Sequence, residues 1–241
     1  MPVEPISLTS PATVPSPVMR QTWRDLTFLH WRCPPAELRP LVPSDLELDL
    51  YDDTAWIGLV PFIVAGLTHP RIPATRLSTF PETNVRTYVI DRQGRRGVWF
   101  FSLDAARFAA VLGARLAYAL PYFWADMSVH RTLHSVHYRS KRYHGRPAKS
   151  DIVIDIDEPI LTPSVLEIFL TARFRLYARR FGMMLRADVE HPPWPLQRAT
   201  APRISETLIQ AAGVPCPLGE PLVHFAESVD VLVSRPIVLG R

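Results

Sequence analysis

The sequence predicts an α+β fold built on many short antiparallel strands, curved or barrel-like, with a few flanking helices. Three observations carry this. Strand-like apolar runs outnumber helical ones along the whole chain. The 25 prolines are well spread and punctuate the chain into short elements. No Gly/Ser-rich linker divides it, so residues 19–241 are expected to form one domain.

In chain order, residues 1–18 hold Pro2, Pro5, Pro11, Pro15 and Pro17 among Ser and Thr and are expected to be a flexible leader. The fold is expected to begin near Gln21-Thr22-Trp23. A short helical turn is expected over Ala36–Leu41. Strands are expected over Leu46–Leu50, Ala55–Val64, Asn84–Asp91, Gly97–Leu103, Tyr122–Leu133, Ser135–Tyr143, Asp151–Ile156, Arg173–Arg179, Met183–Glu190 and Phe225–Ser234. Arg92-Gln93-Gly94 between two apolar runs reads as a hairpin turn. Asp104 is a potential cap for a helix over Ala105–Tyr118, where Phe108, Leu112 and Leu116 recur at spacing four. Thr162-Pro163 opens a second helix, and Ser205 a third, closed by Gly213.

With 241 residues, 47% hydrophobic and 21% charged, the composition is that of a globular protein. Net charge is +4, and the cations are lopsided: of 27 Lys plus Arg, only Lys141 and Lys149 are lysines. Arginine stays protonated, so it serves ion pairing and anion binding rather than imine chemistry. Cys33 and Cys216 belong to no zinc or disulfide motif. No run of about 18 apolar residues suggests a membrane helix, and the first residues lack the pattern of a secretory signal. The cytoplasm is the expected location, with no membrane partner. The G-x-S-x-G, H-E-x-x-H, P-loop and G-x-G-x-x-G motifs are absent, which removes the commonest hydrolase, zinc protease, nucleotide triphosphatase and dinucleotide-binding readings. No cofactor and no metal are expected.

The most informative stretch is Phe80–Asp91. On a strand, Glu82, Asn84, Arg86 and Tyr88 share one face and Val85, Thr87 and Val89 the other. Two readings stand: the polar face meets solvent, or it looks into a barrel, where Glu82 and Arg86 become a buried ion pair or a ligand clamp. Arg115 either satisfies a helix end or turns toward a pocket behind Pro121. Trp194, in the rigid loop His191–Leu196, either packs or lines a pocket mouth. His30, beside Phe28 and Trp31, reads as a satisfied core histidine. Residues 130–149 carry six Lys/Arg and four histidines (His130, His134, His137 and His144) with no acid. A solvated hairpin is the preferred reading there; metal or nucleic-acid binding is the lesser one.

Taken together, Asp45–Asp49, Ala55–Phe62, Phe80–Val89, Gly97–Arg107, Ala114-Arg115, Leu120–Tyr122 and Pro193–Leu196 resemble the YqjF-like family of uncharacterised proteins, in order, from Gln21 to about Ala199. That family is similar, more loosely, to the acetoacetate decarboxylase-like superfamily. The resemblance implies an antiparallel cone-like barrel with a cavity, wrapped by helices, and a possible homo-oligomer. The superfamily's Tyr-x-Glu motif would be met by Phe80-Pro81-Glu82, with Phe in place of Tyr. Its Arg-Glu-x-x-Gly-x-Pro-Lys-Lys motif would fall on Arg115–Phe123: the arginine and proline match, Leu116 replaces the glutamate, and Tyr122 and Phe123 replace both lysines. Imine catalysis needs an amine, so the resemblance implies the fold and the cavity without a lysine-dependent decarboxylation.

The expected function is therefore binding of a small carboxylate or carbonyl compound, with or without turnover. Glu82 and Tyr122 are the candidate catalytic pair. Arg86, Arg115, Asn84 and Trp194 are the candidate substrate-binding residues.

Overall fold

A computed structural model describes residues 2–68, 79–108, 118–215, 217 and 219–240. Thirteen strands join in one sheet: β1 (Met19–Cys33), β2 (Leu46–Leu48), β3 (Ala55–Thr68), β4 (Phe80–Asp91), β5 (Arg96–Ala105), β6 (Tyr122–Arg131), β7 (Ser135–Arg142), β8 (Lys149–Pro159), β9 (Arg175–Arg180), β10 (Met183–Glu190), β11 (Leu196–Glu206), β12 (Leu222–Val233) and β13 (Ile237–Val238). The described helices are short: α1 (Pro35–Leu38), α2 (Val165–Thr171) and α3 (Leu208–Ala211).

The strand pairings close the sheet twice. One circuit runs β5-β6-β7-β8-β11-β12-β1-β3-β4 and back to β5, a nine-stranded barrel. A second, smaller circuit runs β5-β9-β10-β12 and returns through the same β1, β3 and β4. Strands β12, β1, β3, β4 and β5 are thus a wall shared by two enclosures. This explains why β3 (AWIGLVPFIVAGLT) is apolar almost without alternation and why β4 is buried on both faces. One side of the wall packs Val85, Ile57 and Leu59 against Tyr138, Ile152 and Ile154 of β7 and β8. The other packs Phe28, Val60, Phe62 and Leu103 against Ala178, Leu185 and Ala187 of β9 and β10.

Pairing is antiparallel except at β5, which runs parallel to both β6 and β9. The β5–β9 approach depends on Gly97: a Cβ there would lie 2.6 Å from Tyr177 Cε2 and 2.8 Å from the Arg175 carbonyl oxygen. The expected β4–β5 turn forms, with Gly94 at φ +77 and the Asp91 carboxylate accepting from the backbone N–H groups of Gln93 and Arg95.

Several expectations change. Asp104 is no helix cap: it lies inside β5, fully buried, bonded to Arg142. Most of the helix expected over Ala105–Tyr118 falls on residues 109–117, outside the described residues, and Cys216 also falls outside them. Ser205 belongs to β11, and α3 begins only at Leu208. The helix expected at Thr162-Pro163 forms as α2, capped by Ser164, whose side chain accepts from the Glu167 N–H while Glu167 caps the Ser164 N–H in return. The Pro-rich leader lies against the barrel: Glu4 pairs with Arg175 at 2.6 Å, the Val14 N–H donates to the Glu190 carboxylate, and Val14 is buried.

Candidate functional site

Alternation on β4 sends Glu82, Asn84, Arg86 and Tyr88 to the side of the shared wall that faces β9 and β10. All four are buried, so the polar face looks inward and not to solvent. Glu82, Asn84 and Arg86 face Phe62, Val60 and Gly58 on β3, and the four face Ala105, Leu103, Phe100 and Val98 on β5. A polar ladder is therefore set in an apolar frame.

Glu82 accepts a hydrogen bond from the Tyr122 hydroxyl at 2.9 Å. Burial pushes the Glu82 carboxyl up to about 8; the Tyr122 bond opposes this and the Asp104 charge adds to it. Glu82 therefore holds a proton at neutral pH. Burial, followed by the proximity of Glu82, raises the Tyr122 hydroxyl well above its ordinary value, so it acts as a hydrogen-bond donor and not as a phenolate. The sequence offered Glu82 and Tyr122 as separate candidates, and the structure brings them into contact.

Arg86 makes no ion pair with Glu82 or with any other carboxylate among the described residues. Its guanidinium lies 5.4 Å from the Phe28 ring centroid and 5.8 Å from that of Tyr88. Its Nε and Nη2 are buried without a hydrogen-bond partner among the described residues, and so is Asn84 Oδ1. A buried cation without a counter-charge is costly, and among the described residues it is cushioned by the faces of Phe28 and Tyr88.

Trp194 is not at a pocket mouth. It is buried, stacks on Trp23 at 6.0 Å, meets Phe28 edge-on at 5.1 Å, and donates its indole N–H to the Thr171 carbonyl. It thus forms part of the wall beside Phe28, over which Arg86 lies. Arg115 lies outside the described residues.

Two pairings lay beyond the sequence reading, which took His30 for a satisfied core histidine and Asp104 for a helix cap. His30, fully buried on β1, is bonded through Nε2 to the Tyr88 hydroxyl, and that hydroxyl donates to the Leu170 carbonyl at 2.7 Å. Gly58 separates His30 from Arg86: a Cβ there would come within 3.3 Å of both side chains. On the opposite side of the wall, Asp104 and Arg142 form a buried two-pronged pair at 2.5 and 2.8 Å, with Arg142 3.9 Å from the Phe123 ring centroid. Period-two alternation identifies the β4 ladder, but nothing in a single sequence pairs residues 30 and 86, or 104 and 142.

The two lysines lie elsewhere. Lys141 and Lys149 are exposed and face one another across β7 and β8. In the same region Asp151 bonds His137, Arg139 and Arg203, so part of the basic run is balanced by a neighbouring carboxylate. A cleft of about 520 Å³, lined by residues including Trp99, Phe100, Leu120, Pro121 and Tyr177, opens beside β5; among the described residues its lining includes neither Glu82 nor Arg86. No described helix is long and apolar enough to cross a membrane.

Comparison with known proteins gives this architecture a setting. Of solved structures, the enduracididine biosynthesis enzyme MppR complexed with pyruvate superposes with a TM-score of 0.66 at 12% identity, covering 95% of this chain and 93% of that one. An acetoacetate decarboxylase-like enzyme from Sphingomonas wittichii RW1 superposes with a TM-score of 0.65 at 14% identity, covering 95% and 96%. At such identities the likeness is one of fold, and the fold is acetoacetate decarboxylase-like. In sequence, the uncharacterised protein YqjF of Bacillus subtilis (strain 168) is 42% identical over 223 residues, which span 89% of this chain and 90% of that protein. The model of the DUF2071 family, described as an uncharacterised conserved protein, matches residues 20–230. Nearly the whole double-closed sheet, with the β4 ladder at its centre, lies within that match, and the chain belongs to the DUF2071 family.

Proposed function

We propose that the smaller enclosure binds a small carboxylate or carbonyl compound and that the protein acts on it without an imine. The observation that carries this reading is Arg86: a buried guanidinium with two unsatisfied nitrogens, Nε and Nη2, and no carboxylate of its own among the described residues. A ligand carboxylate supplies the missing counter-charge and accepts from the planar fork. Glu82, protonated at neutral pH, is suited to donate to a carbonyl oxygen as charge develops there and to take the proton back afterwards. Tyr122 holds the Glu82 carboxyl through its own hydroxyl. The pyruvate bound to MppR, a protein of like fold, agrees with a ligand of this size and class.

A lysine-independent chemistry is supported by the positions of Lys141 and Lys149, both exposed, on β7 and β8 of the larger circuit. A second reading, binding without turnover, draws on Tyr122, which is held as a neutral hydroxyl where a nucleophile would be wanted. We place the protein's work in the cytoplasm, where the free thiol of Cys33 stays reduced.

The test is incubation of the purified protein with small keto acids, followed by proton NMR, with and without borohydride. The expected result is turnover or solvent exchange next to the carbonyl, lost in Glu82→Gln, with no mass added by borohydride. A borohydride-trapped adduct on either lysine overturns the imine-free reading. Arg86-dependent binding with no turnover, unaffected by Glu82→Gln, favours the binder.

A further inference from the structure

Three exposed rings meet at the open end of the β6–β7 hairpin. Tyr143 and Phe108 are each 57% exposed, and Trp124 is 36% exposed. The Trp124 ring centroid lies 4.3 Å from that of Tyr143 and 5.5 Å from that of Phe108. A single exposed ring means little, but a contiguous row marks a contact surface. The row is firmly seated. The Tyr143 N–H donates to the Trp124 carbonyl at 3.0 Å and so extends the ladder between the two strands. The turn that follows lies over Phe123: the His144 ring meets it edge-on at 5.8 Å, and a Cβ on Gly145 would come within 2.9 Å of it. Arg142, held by the buried Asp104, lies 3.9 Å from the centroid of the same ring.

Beside the rings stand both lysines of the chain. Lys141 precedes Tyr143 by two residues and shares its outward face, about 7 Å away along the strand. Lys149 is the partner of Lys141 on β8. Like charges set opposite one another work against a sheet. The surroundings do little to relieve them. Asp126 faces Lys141 from β6 but forms no ion pair with it, and Asp151 is taken by His137, Arg139 and Arg203. Among the described residues the ion pairs are made by arginine or histidine, and neither lysine has one. Arg107, next to Phe108, and Arg146, in the turn after Tyr143, are exposed as well. The surface thus presents ring faces and uncompensated cations together, and a partner that matches both carries flat rings on a chain of negative charges.

We propose that this face binds single-stranded nucleic acid, with bases stacked on Trp124 and Tyr143 and the phosphate backbone laid across Lys141 and Lys149. Exposed rings receive bases that are not already stacked within a duplex, and every base has a face to offer. Lysine suits the backbone contact, because a compact charge on a flexible stem follows a phosphate chain without requiring one fixed geometry. A bound strand also removes the cost of the facing lysines. The site lies on the outer side of the larger circuit and stands or falls independently of the Arg86 enclosure.

The experiment is fluorescence anisotropy with the purified full-length chain and two labelled strands of about twelve nucleotides, at about 50 mM salt. One strand is oligothymidylate and the other has the same backbone without bases. Oligothymidylate is expected to bind at least about tenfold tighter than the abasic strand. Trp124→Ala and Tyr143→Ala are each expected to weaken it about tenfold while the melting temperature stays unchanged. Two lysine contacts give a slope of about −1.4 in log affinity against log salt, and this slope is expected to fall toward zero in Lys141→Gln/Lys149→Gln. Equal affinity for the two strands, or affinity that survives both ring substitutions, overturns the proposal. So does the absence of binding. Two further measurements name what would replace it. Trp124-dependent binding to vesicles of about one-quarter phosphatidylserine, without binding of oligothymidylate, makes this a membrane-facing surface. A dimer in sedimentation velocity that is lost in Trp124→Ala, again without strand binding, makes it an interface between copies of this chain.

Discussion

Arg86 and Glu82 show how far a single side chain can be argued. An unpaired buried cation lowers stability, so Arg86→Met, which keeps much of the stem and deletes the charge, is expected to unfold at the same or a higher urea midpoint while losing carboxylate binding. A large fall in midpoint would mean that Arg86 has a structural partner. For Glu82 the sign follows from its raised value. Between its ordinary 4.5 and about 8, the unfolded chain releases the proton while the folded protein keeps it. This carboxyl therefore makes the fold less stable as pH rises through that window, by up to about 1.4 kcal/mol per unit. Glu82→Gln is expected to remove that slope, so that melting curves of the two proteins approach one another near pH 4.5 and diverge toward pH 8, with the variant higher. Parallel curves would refute a protonated Glu82. Both residues were legible because a strand repeats every two residues: the spacing of Glu82, Asn84, Arg86 and Tyr88 places them on one face. For His30 the burial was legible but the partner was not, because Tyr88 lies 58 positions away.

At the level of elements, the weak point is the parallel join between β5 and β6, and it is bridged from β7 by the Asp104–Arg142 pair. Side chains this buried lose several kcal/mol when one partner goes. Asp104→Ala is expected to cost about 3–5 kcal/mol in chemical denaturation, since it strands the Arg142 guanidinium. A loss below about 1 kcal/mol would show that water reaches Arg142. Most strands were readable as apolar runs between turns, with ends off by a few residues. Strands β1 and β11 were missed for identifiable reasons. β1 carries Asp25 at φ 47 and shifts register against β3 between Arg24 and Leu29, which breaks its alternation. β11 contains Pro202, and proline argues against a paired strand; the structure sets it in a register break, between Thr200 and Arg203, where the ladder is interrupted.

For the whole molecule, the double closure gives one wall two inner faces, and it is why a polar ladder is fully enclosed although the described helices are few and short. The class of fold was legible from strand count and proline spacing; the second circuit was not, because the β10–β12 contact that completes it pairs only two residues on each strand. The leader's contacts likewise join residues far apart in sequence. Removing residues 2–14 deletes the Glu4 carboxylate from Arg175, a side chain only 7% exposed, and uncovers the cluster of Trp56, Tyr88 and Phe169 on which Ile6 packs. A loss of about 3 kcal/mol or more is expected from denaturant midpoints; an unchanged midpoint would mark the leader as a loose tail. The central claim is that the enclosure holds a small carboxylate on Arg86, and ligand-dependent melting tests it most directly. At about 100 times its dissociation constant, a carboxylate ligand adds about 2.7 kcal/mol, a rise of roughly 5–10 °C for a chain of this length, and the rise is expected to vanish in Arg86→Met. The same rise in both proteins, or none with any small carboxylate, would contradict the account.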